Sequence, residues 1–119
     1  MARKAFAHDA VVTMRNDSPN ALGGAIATAL CGGWDHPPPC PLAPHFVSYH
    51  AAGETVTARV VFATEPENEQ RVRELIGEAL ASGRLTVPDG GVAQWELRSA
   101  TAGAVRADEH ELAAGLIAH

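Results

Sequence analysis

A chain of 119 residues can build one domain with an ordinary core, and at 46% apolar but only 5% aromatic residues that core must come from Val, Leu, Ile and Ala. The net charge of -5 excludes a general nucleic-acid binder, which needs basic surface to neutralise phosphates, and opposes adsorption to anionic membranes. No apolar run approaches the roughly 20 residues that span a bilayer.

The first residues, Met1 to Asp9, include Arg3 and Lys4 but no apolar stretch behind them, so no secretory signal is expected. The expected location is the cytoplasm, where thiols stay reduced. Residues 10–15, Ala-Val-Val-Thr-Met-Arg, alternate and read as a strand. Asp17-Ser18-Pro19 is a helix start, with Ser18 as cap and Pro19 at the first helical position. Leu22, Ile26, Ala29 and Leu30 then mark one helix face to about Cys31, and Gly32-Gly33 ends it. A Pro-rich segment runs on to His45. His45–His50 and Thr55–Thr64 read as two strands around a hairpin turn at Ala51-Ala52-Gly53-Glu54. In the second, Val56, Ala58, Val60 and Phe62 share a face. Thr64-Glu65-Pro66-Glu67 is a capping-box pattern. Val72, Leu75, Ile76, Ala79 and Leu80 give the next helix its buried stripe, and Gly83 stops it. Glu67, Glu69, Arg71, Arg73 and Glu74 lie mostly off that stripe and read as a solvated face. After the turn cluster Val87-Pro88-Asp89-Gly90-Gly91, Ala93, Trp95 and Leu97 alternate with Gln94, Glu96 and Arg98, which predicts a strand with one wet face. Asp108-Glu109-His110-Glu111 is a second capping-box pattern and opens a short C-terminal helix carrying Leu112, Leu116 and Ile117.

The order β-α-β-β-α-β plus a terminal helix predicts a single α+β domain over 1–119, a ferredoxin-like sandwich with two helices on one face of an antiparallel sheet. The other face would carry Val11, Thr13, Val61 and Ala63. That set is too apolar to stay wet, so self-association or docking onto a protein partner is expected there. The topology also brings the segment after the first helix to the end where strand one begins, near His8, Asp9, Glu65, Glu67 and the helix bearing His110.

The segment from Cys31 to His45 carries the most chemistry. It holds both cysteines, two of six histidines and five of eight prolines. Cys31, His36, Cys40 and His45 follow one another with gaps of four, three and four residues. Two thiolates and two imidazoles suffice for one tetrahedral site, with zinc the expected metal and copper(I) the alternative. His8, His50 and His110 are possible additional ligands. The prolines make the segment stiff, which lowers the entropy of ordering it around an ion. They also separate His36 from Cys40 by roughly 12 Å if extended at ~3.1 Å per residue, so a shared ion requires the chain to bend. A plainer reading stands beside this one. Cys31 can be a small buried helix residue, His36 an exposed loop residue, and His45 and His50 ordinary strand residues. Trp34 can seal the loop onto the core, and a Cys31–Cys40 disulfide is a further alternative.

The expected function is therefore a small metal-binding interaction or metal-carrier module. The alternative is a metal-free assembly or accessory subunit. A third reading, an enzyme with a Cys/His pair or a metal-bound water, has less support. Cys40 lacks a helix N-terminus to lower its pKa. No nucleophile-elbow, phosphate-loop, dinucleotide or zinc-protease motif is present.

Overall fold

The computed structural model describes residues 3–15, 20–31, 44–86 and 91–118. Among these described residues, five strands and three helices follow one another: β1 (Lys4–Met14), α1 (Asn20–Cys31), β2 (His45–Ala52), β3 (Thr55–Thr64), α2 (Glu69–Ala81), β4 (Arg84–Thr86), β5 (Val92–Gly103) and α3 (His110–Ile117). Short 3-10 turns at Pro66–Asn68 and Ala107–Glu109 lead into α2 and α3. The strands form one antiparallel sheet in the order β2-β3-β1-β5-β4.

Every expected element in the described residues is present, but four are larger or additional, β2 among them, which runs on to Ala52 instead of ending at His50. β1 starts at Lys4 rather than Ala10, β5 runs on to Gly103, and β4 was not expected. Ala5 and Ala7 are small, and His8 is polar yet buried, so the alternation of β1 is hard to see in the side chains alone. β4 is three residues long and takes its order from pairing with Val92–Gln94. The start signal at Asp17-Ser18-Pro19 and the turn at 87–90 lie outside the described residues.

α1 and α2 pack against each other and cover one sheet face. Leu22, Ile26 and Leu30 from α1 and Val72, Ile76 and Leu80 from α2 meet Val12, Val56, Val60, Phe62 and Trp95 in the main core. Gly83 ends α2 as its sequence position implies. It sits at φ 75°, and a side chain there would approach the Trp95 carbonyl to 2.9 Å. The buried Trp95 indole N–H donates at 2.8 Å to the Leu80 carbonyl, which also accepts the Gly83 backbone N–H at 3.3 Å, so the indole is tied to the end of α2.

The expected capping boxes are not formed as read. Thr64 is a buried strand residue, and Glu65 and Asn68 precede their helices without a side-chain cap. At the other end the cap lies earlier than the Asp108–Glu111 pattern. Glu109 Oε1 accepts the Arg106 backbone N–H at 2.8 Å.

The second sheet face departs most from expectation. Val61 and Ala63 are not open to a partner, because α3 folds over them. Leu116 is buried against both, with Leu112 and Val105 at its side. β3 is therefore covered on both faces at this end, which accounts for its unbroken Val60-Val61-Phe62-Ala63 run. Val11 and Thr13, farther along β1, remain half-buried. No helix among the described residues is long and apolar enough to cross a membrane.

Candidate functional site

The ends of the Cys/His segment are held by regular structure. α1 closes on Cys31 and β2 opens on His45. His45 pairs across the sheet with Phe62 and is half-buried. The Ala63 N–H donates to the Pro44 carbonyl at 3.0 Å, so the chain re-enters the sheet at a defined point. Ala63 in turn lies opposite Ala5, which places this re-entry at the end where β1 begins, as the topology requires. His36, Cys40 and the side chain of Cys31 lie outside the described residues. Among the described residues, no three of His, Cys, Asp and Glu gather to hold a metal.

The three additional histidines are distributed over different environments. His8 lies on the helix-covered face of β1, only 8% exposed. Its Nδ1 is 3.2 Å from an Arg73 guanidinium nitrogen. Burial, and secondarily the Arg73 charge, pushes its pKa below the usual histidine value, with Asp9 opposing. That shift favours the neutral ring, the form a ligand needs, but the neighbouring cation opposes a metal at that nitrogen. His50 projects from the other face, exposed, beside a cavity of about 190 Å³ that Asp9, Ser48, Thr57, Arg59 and Arg106 also line. His110 begins α3 and borders a separate, more apolar cavity of about 340 Å³ with Ala5, Val105, Ala113 and Ile117. Of the expected neighbours, Glu65 sits 3.6 Å from Arg3, while Asp9 is engaged elsewhere.

Asp9 belongs to a cluster that the sequence reading missed. Arg59 interrupts the apolar run of β3 on the α3 side and stands directly opposite Asp9. Its NH1 group reaches both Asp9 oxygens at 2.8 and 3.0 Å. Its Nε and NH2 groups reach the two Glu109 oxygens, each at 2.9 Å, and NH2 also donates to the Ala104 carbonyl at 2.6 Å. Five hydrogen bonds match the five N–H donors of a guanidinium. Gly103 leaves the room: a Cβ there would stand 2.5 Å from Asp9 Oδ2. The Arg59 side chain is 10% exposed and that of Glu109 15%. Hydrogen bonding to Arg59 holds the Glu109 carboxyl down at about 2 and raises the Arg59 pKa further still. With its donors consumed, Arg59 clamps the α3 entry onto β3 and has little capacity left for a ligand. The sequence signal was a lone charge inside an apolar strand run, which requires a partner when buried.

Arg73 corrects the expectation of a uniformly solvated face on α2. Its side chain is only 11% exposed. It donates to the Ala7 carbonyl at 2.6 Å and to Glu69 Oε2 at 2.8 Å. Its guanidinium lies over the Phe62 and Phe6 rings, 5.4 and 5.9 Å from their centres. The long stem, flanking the buried Val72, lets a charged head cross from the helix to the sheet.

Comparison of the chain with protein-family models, with curated proteins and with solved structures gives no match.

Proposed function

We propose that this protein is a small metal-binding module of the reducing cytoplasm, with Cys31, His36, Cys40 and His45 holding one ion. Zinc is the expected metal and copper(I) the alternative. The bound ion would stiffen a surface used with a protein partner, or be handed to one. The fold is read as a ferredoxin-like sandwich in which β4 is an added edge strand, because the remaining strands keep the order β2-β3-β1-β5.

One observation carries this reading. Both cysteines and two histidines fall within fifteen residues whose ends are anchored, one closing α1 and the other opening β2. Anchored ends shorten the chain that must be ordered around an ion, and the prolines between them lower that entropy again. Cys₂His₂ is a common closed zinc set.

Metal analysis of untagged protein tests the reading. About one zinc per chain, lost in the Cys31→Ser, Cys40→Ser double variant, is expected. Substoichiometric metal that the double variant leaves unchanged overturns it.

A further inference from the structure

We infer that a second copy of this chain pairs with it along the outer edge of β5, as an antiparallel strand pair with Thr101 on the two-fold axis. β5 spans Val92–Gly103, but β4 covers only Val92–Gln94 of its outer edge, and the Trp95 N–H is taken by the Gly83 carbonyl at 2.9 Å. From Glu96 onward the outer edge has no strand partner among the described residues. Such an edge presents a row of backbone donors and acceptors to another strand.

Among the described residues, the devices that usually blunt an edge are missing from the end of β5. Ser99-Ala100-Thr101-Ala102-Gly103 contains no charge and no proline. It pairs with β1 in unbroken register from Val11↔Ser99 to Ala7↔Gly103. The one irregularity, at Val11/Val12, precedes this stretch. The nearest charges are turned back onto the protein's own sheet, with Arg98 donating to Thr13 Oγ1 at 2.9 Å and pairing with Glu96 at 2.7 Å. Ser99 to Ala102 are exposed.

The segment is also self-complementary. With Thr101 opposite Thr101 of the second copy, Ala100 faces Ala102 and Ser99 faces Gly103. Side chains on each sheet face are then small enough for two edges to close at the usual ~4.8 Å spacing. A two-fold pairing of this kind closes on itself rather than growing into a filament. Five residues make a small interface, so the dimer is weak and concentration-dependent. The pairing does not involve the Cys/His segment, and it stands or falls apart from the metal.

Sedimentation equilibrium of the full chain tests it. The wild-type mass should rise toward that of a dimer with concentration. Thr101→Lys and Thr101→Glu should each raise the dissociation constant at least tenfold, about the effect of 1.4 kcal/mol. An equimolar mixture of the two should regain the dimer, which a misfolded variant could not do. Ser48→Lys, on the opposite edge strand β2, should leave association unchanged. A wild-type chain that stays monomeric to about 1 mM overturns the inference. So do charge variants that associate like wild type, a mixture that stays monomeric, or dissociation by Ser48→Lys.

Discussion

Replacing Glu109 by Gln removes one charge from the Arg59 cluster while nearly keeping the side chain's shape. Two lines of reasoning give the size of the effect. Arg59 first, with the backbone N–H and charge of Arg106 adding to it, holds the Glu109 carboxyl at about 2 against an ordinary value of 4.5. At about 1.4 kcal/mol per tenfold change in proton affinity, that gap corresponds to about 3 kcal/mol of folding stability. Removing one member of a buried ion pair costs about 3–5 kcal/mol in general. Asp9 remains beside Arg59 and is about one-third exposed, which favours the lower figure. The sign of the pH dependence follows. A depressed carboxyl contributes its stability in full above the unfolded value near 4.5, and loses it as pH falls toward about 2. Urea denaturation of wild type and Glu109→Gln should therefore differ by about 3 kcal/mol at pH 7, equivalent to roughly 10–15 °C in Tm, and the gap should narrow steadily below pH 4.5. A gap under about 0.5 kcal/mol at pH 7, the range of ordinary surface substitutions, would refute the clamp. So would one that stays constant down to pH 2.

The other pairings give sharper tests of single contacts. His8 has a lowered pKa in the fold, so its contribution to stability is fully present above the unfolded value of 6.5 and is lost as pH falls from there through the lower folded value; denaturation at pH below 6.5 should show a slope that His8→Gln abolishes. Gly83→Ala forces a Cβ toward the Trp95 carbonyl at a left-handed backbone position, and should cost about 1–2 kcal/mol by thermal melting. Leu116→Ala should cost about 2–3 kcal/mol and raise hydrogen exchange over α3, because Leu116 is the buried contact of that helix with Val61 and Ala63. Unchanged exchange would mean that Arg59 and Glu109 alone hold α3 in place.

Regular periodicity made most of the architecture legible. The stripe Val72, Ile76, Leu80 and the alternation Val56, Ala58, Val60, Phe62 both map onto the main core as read. The β4 strand was not legible, because three residues carry no period and depend on a neighbour for their order. The second face was half legible. Val61 and Ala63 are too apolar to stay wet, as their sequence implies, but their cover is the chain's own α3 rather than a partner. Arg59 and Arg73 were lost for a shared reason: both are cations whose identity suggests water, while register and stem length direct them to buried acceptors. Within the candidate metal segment, sequence supplies the donor set, and structure supplies its two anchor points at Cys31 and His45. Pairing of Asp9 with Arg59 shows why nearness in topology does not make a carboxylate available to a site. Asp9 reaches the expected region of β1 but points to the α3 side, while His8 beside it points to the helices.

X-ray absorption at the zinc edge, on untagged protein loaded with one equivalent of zinc, addresses the proposed centre itself. The expected spectrum has two sulfur scatterers at about 2.3 Å and two imidazole nitrogens at about 2.0–2.1 Å. A shell of oxygen and nitrogen alone, without sulfur, would contradict the assignment of Cys31 and Cys40 as ligands.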